Sequence, residues 1–417
     1  MKIALLTLGC KLNFAETATY ERGFLAAGLE VVPWSEAADV YLINTCSVTA
    51  TSDSKSRNLV RKVHRVNPAA HIVVTGCSAE LRRAEIERIE GVSRVFGAAE
   101  KGLVVAETLA LLGLPAPEPQ AAAQSCFPAF SAAESRTRAF LKVQDGCNNY
   151  CKYCTVPYAR GESRNLPVAE CVRNAERIAA EGVKEIVLTG VNTGDFGRTT
   201  GESFLDLLKA LDAVDGIERY RISSIEPNLL TEEIVDWIAG GTKFQPHFHI
   251  PLQTGSDELL ARMGRRYDTA FFAERIALIR SKMERPGAPK VFFGIDVMVG
   301  LPGETDAHFR ESFDFIESIR PAFIHVFPYS RRPGTPAASM PGQVDEATKK
   351  HRVAVLETLC RELHEDFRAQ NRGIRERVLF ESTLRGGMME GYTGNYIRIT
   401  RPYDPALVGQ LVDIVID

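Results

Sequence analysis

The stretch FLKVQDGCNNYCKYCTVPYARG, residues 140–161, joins an apolar segment to three closely spaced cysteines. The segment Phe140–Gln144 has the composition of a buried strand. Cys147, Cys151 and Cys154 follow it in a CxxxCxxC spacing, on the loop that leaves the strand. In a parallel α/β barrel, the loops after the strands form the face that carries the chemistry. The stretch therefore predicts a barrel strand with a metal-binding loop at its C-terminal end.

Five further apolar segments follow, and helical stretches separate them. This alternation predicts six βα units, two fewer than a closed eight-stranded barrel has. We therefore expect a partial (βα) barrel over residues 134–350. The predicted strands are Phe140–Gln144, Glu185–Thr189, Tyr220–Ile225, Phe248–Leu252, Val291–Val299 and Phe323–Phe327.

The chain before the barrel alternates in the same way, so residues 1–114 predict a doubly wound parallel α/β sheet. Residues 115–133 are rich in proline and alanine without clear periodicity, which predicts a linker. The predicted N-terminal strands are Ile3–Leu8, Leu29–Val32, Val40–Ile43, Ile72–Thr75 and Arg94–Phe96.

The last part of the chain changes its pattern. A long helical segment near Asp345–Arg372 leads out of the barrel region. Residues 373–417 then alternate like short strands around turns, which predicts a small antiparallel β-barrel.

Composition limits the function classes. The 417 residues are 45% hydrophobic and 25% charged, as in an ordinary globular protein. The apolar run in the N-terminal MKIALLTLGCKLN is too short for a signal peptide or a membrane span, so we expect no membrane partner. Nine cysteines without a secretion signal favour a cytoplasmic location and metal sites over disulfides. At a net charge of −3, any nucleic-acid contact must come from local basic patches.

The three cysteines of the opening stretch suit either zinc or an iron–sulfur cluster. A structural zinc site needs a fourth ligand. The next cysteine, Cys171, shares a helical face with Val168, Ala175 and Ile178, and this pattern predicts a core residue. A four-iron cluster on three thiolates would leave one iron open to a small ligand. The spacing alone does not decide between two possibilities: a four-iron cluster, and a zinc ion with a distant fourth ligand.

The CxxxCxxC loop after the first strand of a six-unit barrel, with the aromatic Tyr153 before its last cysteine, resembles the radical S-adenosylmethionine superfamily. The resemblance implies a 4Fe-4S cluster on Cys147, Cys151 and Cys154. It also implies that the open iron chelates S-adenosylmethionine, which one electron cleaves to a 5′-deoxyadenosyl radical.

Three more cysteines each stand just past a predicted strand. They are Cys10 in LLTLGC, Cys46 in YLINTC and Cys77 in IVVTGC. Because the carboxyl ends of parallel strands meet at one edge of a sheet, we expect them to converge on one metal centre. Three unrelated buried cysteines are the alternative.

TLGCKLN, NTCSVT and VTGC, placed before a radical barrel and a small C-terminal barrel, resemble the methylthiotransferases over nearly the whole chain. The resemblance implies an N-terminal methylthiotransferase domain, a radical domain and a TRAM domain that binds tRNA. It implies a second 4Fe-4S cluster on Cys10, Cys46 and Cys77, with the sulfur to be transferred on its open iron. It further implies an electron donor and a sulfur donor, which the sequence does not identify.

The barrel lumen supplies further candidates. Strand alternation places Asp296 on the face opposite Val297 and Val299, and Gln253 opposite Leu252. With Tyr153 and the glycine-rich turn at Gly190, we expect Gln253 and Asp296 to contact S-adenosylmethionine or substrate. The alternative for each is a satisfied core polar group. We expect the histidines of this region to be packing residues.

Three substrate classes are known in the resembling family: isopentenyladenosine or N6-threonylcarbamoyladenosine next to the tRNA anticodon, and an aspartate of a ribosomal protein. NTCSVTATSDSKSR, YCTVPYARG and HVFPYSRRPGTPA look most like the threonylcarbamoyladenosine branch. Threonylcarbamoyl carries a carboxylate, and Arg331 and Arg332 follow the sixth strand at the expected mouth of the barrel. We expect one of them to pair with that carboxylate, two ordinary surface arginines being the alternative.

Contacts with tRNA have two candidate surfaces. The run KSRNLVRKVHR, 55–65, carries five lysines and arginines and no acid, and the C-terminal segment holds several arginines. Both can contact phosphates, although a solvated helix face is the usual role of such a run. A protein of another class, a non-catalytic RNA binder in which the metals only hold the fold together, also fits these features.

Overall fold

The computed structural model describes residues 1–115, 126–131 and 137–417. Most of the predicted linker lies outside these residues. Its residues 126–131 pack beside the first strand of the barrel region, where the Lys142 amide donates to Ala129 O over 2.9 Å. Cys126 is fully buried there. This part of the linker therefore belongs to the fold, because its apolar residues cover the strand that follows.

The N-terminal unit is a five-stranded parallel sheet in the order β2-β1-β3-β4-β5. The chain moves to one side after β1 and to the other side with β3, so the direction of winding reverses between β1 and β3. Its elements are β1 Lys2–Thr7, α1 Lys11–Ala26, β2 Glu30–Val31, β3 Val40–Thr45, α2 Ala50–Val66, β4 His71–Gly76, α3 Cys77–Leu81, α4 Arg83–Glu87, β5 Val92–Val95 and α5 Val104–Leu111. The predicted doubly wound sheet is confirmed.

The central unit contains two three-stranded parallel sheets, β6-β9-β10 and β11-β12-β13. Two isolated parallel bridges, Tyr220 with Phe244 and Ser224 with His249, connect them. A small antiparallel pair joins β7 to β8. The elements are β6 Ala139–Lys142, β7 Gln144–Asp145, α6 Val156–Arg160, β8 Arg164–Asn165, α7 Val168–Ala180, β9 Glu185–Thr189, α8 Phe204–Asp212, β10 Arg219–Ile222, α9 Glu232–Ala239, β11 His247–Gln253, α10 Asp257–Met263, α11 Thr269–Met283, β12 Phe292–Val299, α12 Asp306–Ile319, β13 Phe323–Pro328 and α13 Glu346–Gln370.

The second half of strand β12 alternates as its sequence predicts. Phe293, Ile295 and Val297 of β12 are buried in the core against the helices. Asp296 and Met298 between them are half-buried on the other face. The lumen side is therefore more polar and more open than the helix side.

The C-terminal unit is a four-stranded antiparallel sheet in the order β16-β15-β14-β17. Its strands are β14 Arg375–Arg385, β15 Met388–Tyr392, β16 Arg398–Pro402 and β17 Leu411–Val415. Within the described residues β16 and β17 do not pair, so the sheet is a half-barrel rather than the closed barrel predicted. No helix in the described ranges is long and apolar enough to span a bilayer.

A buried cluster of charges joins this half-barrel to the central unit. Glu185 of β9 pairs with Arg219 over 2.6 Å and with Arg221 over 2.7 Å. Arg221 also donates to the carbonyl oxygens of Thr393 and Gly394, over 2.7 and 2.6 Å. Burial raises the pKa of Glu185, but the two guanidinium groups outweigh it and lower the pKa to about 2. Burial lowers the pKa of Arg219 to about 10, so Arg219 stays charged at neutral pH.

Glu185→Gln should destabilise the protein by about 3 kcal/mol at pH 7, because it leaves two buried guanidinium groups without their counterion. The Glu185 pKa is lower in the folded state, so its contribution is complete above about pH 4.5 and is lost as the pH falls towards 2. Free energies of unfolding at pH 7 and pH 3 check this. The exposed Glu274→Gln is the matched control, and an equal effect at both pH values would contradict the prediction.

Candidate functional site

Cys10, Cys46 and Cys77 lie at one edge of the N-terminal sheet. Register explains this, because Thr7 of β1 pairs with Asn44, and Thr45 of β3 pairs with Gly76. The three strands therefore end side by side. Cys10 is the N-cap of α1, Cys46 follows β3 directly, and Cys77 begins α3.

Polar side chains at the strand ends hold these three loops together. The Asn13 side-chain amide donates to Leu8 O over 2.7 Å and to Thr45 O over 2.9 Å. The Thr45 hydroxyl donates to Thr75 O over 2.6 Å. Gly9 has φ +109°, and a Cβ there would lie 2.8 Å from Cys46 Cβ. The sequence GCxxN thus supplies both the close approach and the hydrogen bonds that the loops need.

The three thiols interact with one another. Burial raises the pKa of Cys46 to about 11, and Cys77 and Cys10 raise it as well. Burial and Cys10 also raise the pKa of Cys77. None of the three is in a disulfide. Grouped thiols of this kind match a metal site, because a bound metal displaces thiol protons and compensates the charge of the thiolates.

Cys147, Cys151 and Cys154 form a second group on the loop after β7. Main-chain amides of Asn149 and Val156 donate to the sulfurs of Cys147 and Cys154, each over 3.4 Å. Burial raises the pKa of Cys154 to about 12, and Cys151 and Cys147 add to the shift. The loop therefore presents three sulfurs, two of which accept from main-chain amides, and hydrogen bonds of this kind tune a cluster on thiolates.

Arg265 is a residue of this site that the sequence analysis missed. It donates to the Cys151 sulfur and to the Tyr153 hydroxyl, both over 3.2 Å. Its other terminal nitrogen donates to Glu226 over 2.6 and 2.7 Å. The predicted cofactor residue Tyr153 is thus held beside the cysteines. Arg265 stands in a loop between α10 and α11, where no spacing or periodicity distinguishes it.

A buried ionic network connects the two cysteine groups. Lys101 lies 2.7 Å from Glu16, Lys142 lies 2.6 Å from Asp145, and Arg160 lies 2.8 Å from Asp145. Helix α6, which follows Cys154 and ends at Arg160, packs against α3, which begins at Cys77. The two groups of thiols therefore lie on neighbouring elements.

The charges of this network favour an anionic group bound at Cys10, Cys46 and Cys77. Three buried cations, Lys101, Lys142 and Arg160, and the half-buried Arg164 face two buried carboxylates, Glu16 and Asp145, so two positive charges are left over. Burial raises the pKa of both carboxyl groups, but the neighbouring cations hold it below the usual range. An iron–sulfur cluster on three thiolates is an anion and matches that surplus.

The lumen candidates occupy different positions. Gln253 ends β11 with φ +71°, a left-handed conformation that is uncommon outside glycine and recurs at ligand sites. Gly190 follows β9, and a Cβ there would lie 2.9 Å from the Gln144 side-chain oxygen. Both lie at C-terminal strand ends, as does the loop of Cys147. Asp296 lies lower in the lumen, within β12.

Asp296 belongs to a polar group with two histidines. Its carboxylate lies 2.9 Å from His249 Nε2. The rings of His249 and His325 stack in parallel, 5.0 Å apart. Their possible ligand atoms lie within 4.8 Å of one another, so the group has the composition of a metal site. Parallel rings direct their in-plane lone pairs in parallel, whereas a shared ion needs them to converge. We therefore keep the interpretation of the histidines as stacked packing residues.

Arg331 and Arg332 do not both face the lumen. Arg332 is buried, donates to Ser47 Oγ over 2.8 Å and pairs closely with Asp53 of α2. This guanidinium holds the N-terminal unit against the loop after β13, so its placement does not support substrate binding. Arg331 is exposed, and its Nε donates to Ala338 O.

The fold and the CxxxCxxC loop define a radical S-adenosylmethionine protein. Residues 141–316 match the radical SAM superfamily, and residues 2–97 match the uncharacterized protein family UPF0004. The solved radical S-adenosylmethionine methyltransferase TsrM from Kitasatospora setae has the same fold, with a TM-score of 0.58 and 16% identity over 81% of this chain and 77% of that one.

Two curated relatives narrow the class. The chain is 38% identical to the threonylcarbamoyladenosine tRNA methylthiotransferase MtaB of Bacillus subtilis (strain 168), over 99% of this chain and 93% of that protein. It is 30% identical to the tRNA-2-methylthio-N(6)-dimethylallyladenosine synthase of Natranaerobius thermophilus, over 100% of this chain and 94% of that protein. The chain belongs to the radical S-adenosylmethionine methylthiotransferase family, and it is an enzyme of the tRNA methylthiotransferase type.

Proposed function

We propose that this enzyme transfers a methylthio group to C2 of N6-threonylcarbamoyladenosine next to the tRNA anticodon. The observation that carries the reaction is the pair of three-thiol groups on neighbouring elements, joined through Arg160. The substrate is supported by the higher identity to the Bacillus relative, 38%, than to the dimethylallyladenosine relative, 30%.

Each group of thiols would hold one 4Fe-4S cluster, a radical cluster on Cys147, Cys151 and Cys154 and an auxiliary cluster on Cys10, Cys46 and Cys77. When bound, the radical cluster and S-adenosylmethionine would supply the radical chemistry that removes the C2 hydrogen, and the auxiliary cluster would present the sulfur. We assign the contacts of S-adenosylmethionine to Tyr153 of the cysteine loop, to the strand-end residues Gly190 and Gln253, and to Asp296.

Residues of the chain itself position these groups. Arg265 fixes Tyr153 and Cys151 relative to Glu226 through its donors on both sides. Arg160 donates to Asn13 over 2.6 Å, and Asn13 in turn holds the loop of Cys10. A shift in either arginine would therefore move one thiol group relative to the other. The transfer reaction needs the two groups in a fixed relative position.

We propose the division 1–114, 134–350 and 373–417 into cluster, radical and TRAM-like RNA-binding domains. The two three-stranded sheets, joined by their bridges, would form one six-unit partial barrel. The basic run 55–65 lies on α2, and the C-terminal half-barrel carries Arg398 and Arg401. Both surfaces would bind tRNA phosphates, so affinity should fall steeply with salt. The electron and sulfur donors would be separate partners.

Competition between two RNA stem-loops tests the substrate. The reconstituted enzyme receives equal amounts of RNA bearing threonylcarbamoyladenosine and isopentenyladenosine, and mass spectrometry follows both products. We expect methylthiolation of the first in excess of about 100-fold, since a site built for a charged group rejects an apolar one strongly. Preference for isopentenyladenosine would overturn the substrate and keep the reaction. Product from neither RNA would favour a ribosomal-protein aspartate as the substrate. Tightly bound zinc, without cleavage of S-adenosylmethionine, would favour a non-catalytic RNA-binding protein.

A further inference from the structure

Lys11 is the first residue of α1 and directly follows the cluster candidate Cys10. Its side chain is exposed to water, yet it lies within electrostatic range of charged and aromatic residues from four separate elements. They are Arg138 before β6, Arg221 of β10, His325 of β13 and Tyr396 of the C-terminal unit. These neighbours come from both edges of the partial barrel and from the C-terminal unit, so Lys11 extends from the edge of the N-terminal sheet towards the lumen.

The ammonium group of Lys11 has no ion pair and no hydrogen bond within the part of the chain that the structure describes. The carboxylates of the lumen have other partners than Lys11. Glu185 pairs with Arg219 and Arg221, and Asp296 lies beside His249. Arg138 adds a further positive charge near Lys11. These neighbouring cations repel the ammonium group of Lys11, and an anionic ligand would offset that repulsion.

The position of Lys11 also fits the shape of the substrate. In adenine, C2 and the C6 atom that carries N6 both flank N1, on the same edge of the base. The carboxylate is separated from N6 by the carbamoyl carbon, its nitrogen and the threonine Cα, so it must bind several bond lengths away from the sulfur that reaches C2. The long lysine side chain begins next to Cys10, at the proposed sulfur site, and extends away from it into the lumen. Arg332 does not fill this role, because it is buried against Asp53.

We propose that Lys11 binds the carboxylate of the threonylcarbamoyl group and so selects an anionic adenosine substrate. This inference rests on the proposed function. It makes Lys11 a specificity-determining residue that acts by a charge-assisted hydrogen bond. A neutral N6 substituent would leave the ammonium group unpaired in the lumen and bind less well.

The test pairs a change in the protein with a change in the substrate. The parent enzyme and Lys11→Met each act on a stem-loop with the free threonylcarbamoyl acid and on one with its methyl ester, which has no charge. We expect the parent to prefer the acid in kcat/KM by about 10- to 100-fold. Lys11→Met should lose this preference, and Lys11→Arg should keep part of it. Iron content shows whether the clusters remain in each variant.

Two further variants complete the design. Lys209→Met, on the exposed face of α8, should keep the preference of the parent. Arg331→Met tests the other candidate cation at the barrel mouth. Acid preference retained in Lys11→Met, or lost in Arg331→Met instead, would overturn the role of Lys11. A parent enzyme that methylthiolates isopentenyladenosine RNA but not the acid would contradict the proposed function, which is a distinguishable result.

Discussion

Cys151→Ser is expected to abolish the formation of 5′-deoxyadenosine from S-adenosylmethionine and, with it, every methylthiolated product. Cys151 interacts with both Cys147 and Cys154, and Arg265 donates a hydrogen bond to its sulfur. Serine is a poor ligand for the iron of a cluster. We expect iron content to fall by about half, to roughly four per chain, since one of two four-iron clusters is lost. Chromatography of the cleaved cofactor after chemical reduction measures the loss.

Cys171→Ala is the control for Cys151→Ser. Cys171 is fully buried on α7 and belongs to neither group of thiols. Its removal should leave iron content and cofactor cleavage unchanged, with a modest loss of stability from the vacated volume. Cofactor cleavage at the parent rate by Cys151→Ser would contradict the assignment of Cys147, Cys151 and Cys154 to the cluster that cleaves S-adenosylmethionine.

Cys46→Ser is expected to separate the two halves of the reaction. The variant should also lose about half of its iron, but from the cluster at the edge of the N-terminal sheet. It should still cleave S-adenosylmethionine, since the loop of Cys151 is unchanged, and it should make no methylthiolated RNA because the sulfur has no site. Mass spectrometry of product RNA and of 5′-deoxyadenosine in one reaction measures both halves.

The pair of serine variants is informative because each is the control of the other. Together they predict equal iron loss with opposite effects on cofactor cleavage. Loss of cofactor cleavage in both variants would mean that the group of Cys10, Cys46 and Cys77 is needed to assemble the radical site. Transfer activity retained in Cys46→Ser would contradict a role for that group in presenting the sulfur.

Strand ends explain how much of the site could be predicted from the sequence. Cys10, Cys46 and Cys77 are far apart in sequence, yet each follows an apolar strand, and parallel register brings such positions to one edge. The period-two pattern of β12 likewise gives the lumen side of Asp296. Such predictions succeed because local patterns determine the strands, and the topology of parallel sheets then determines where their ends meet.

The remaining contacts depend on tertiary pairing that no local pattern encodes. The Arg332–Asp53 pair joins residues 279 positions apart, and Arg265 meets Cys151 across 114 positions. Arginines before a Pro-Gly turn look like surface residues until a partner from another unit covers them. The network around Glu16 combines charges from five segments of the chain. In its local sequence, each of these residues looks like an ordinary charged surface residue. Only the packed structure distinguishes these residues from their exposed neighbours.

The most direct test is mass spectrometry of nucleosides from bulk tRNA of cells with and without this gene. We expect 2-methylthio-N6-threonylcarbamoyladenosine to disappear from the deletion strain, its unthiolated precursor to accumulate, and the isopentenyl product to remain. Loss of the isopentenyl product instead would contradict the substrate, and no change in either nucleoside would contradict the assignment of this enzyme to adenosines of tRNA.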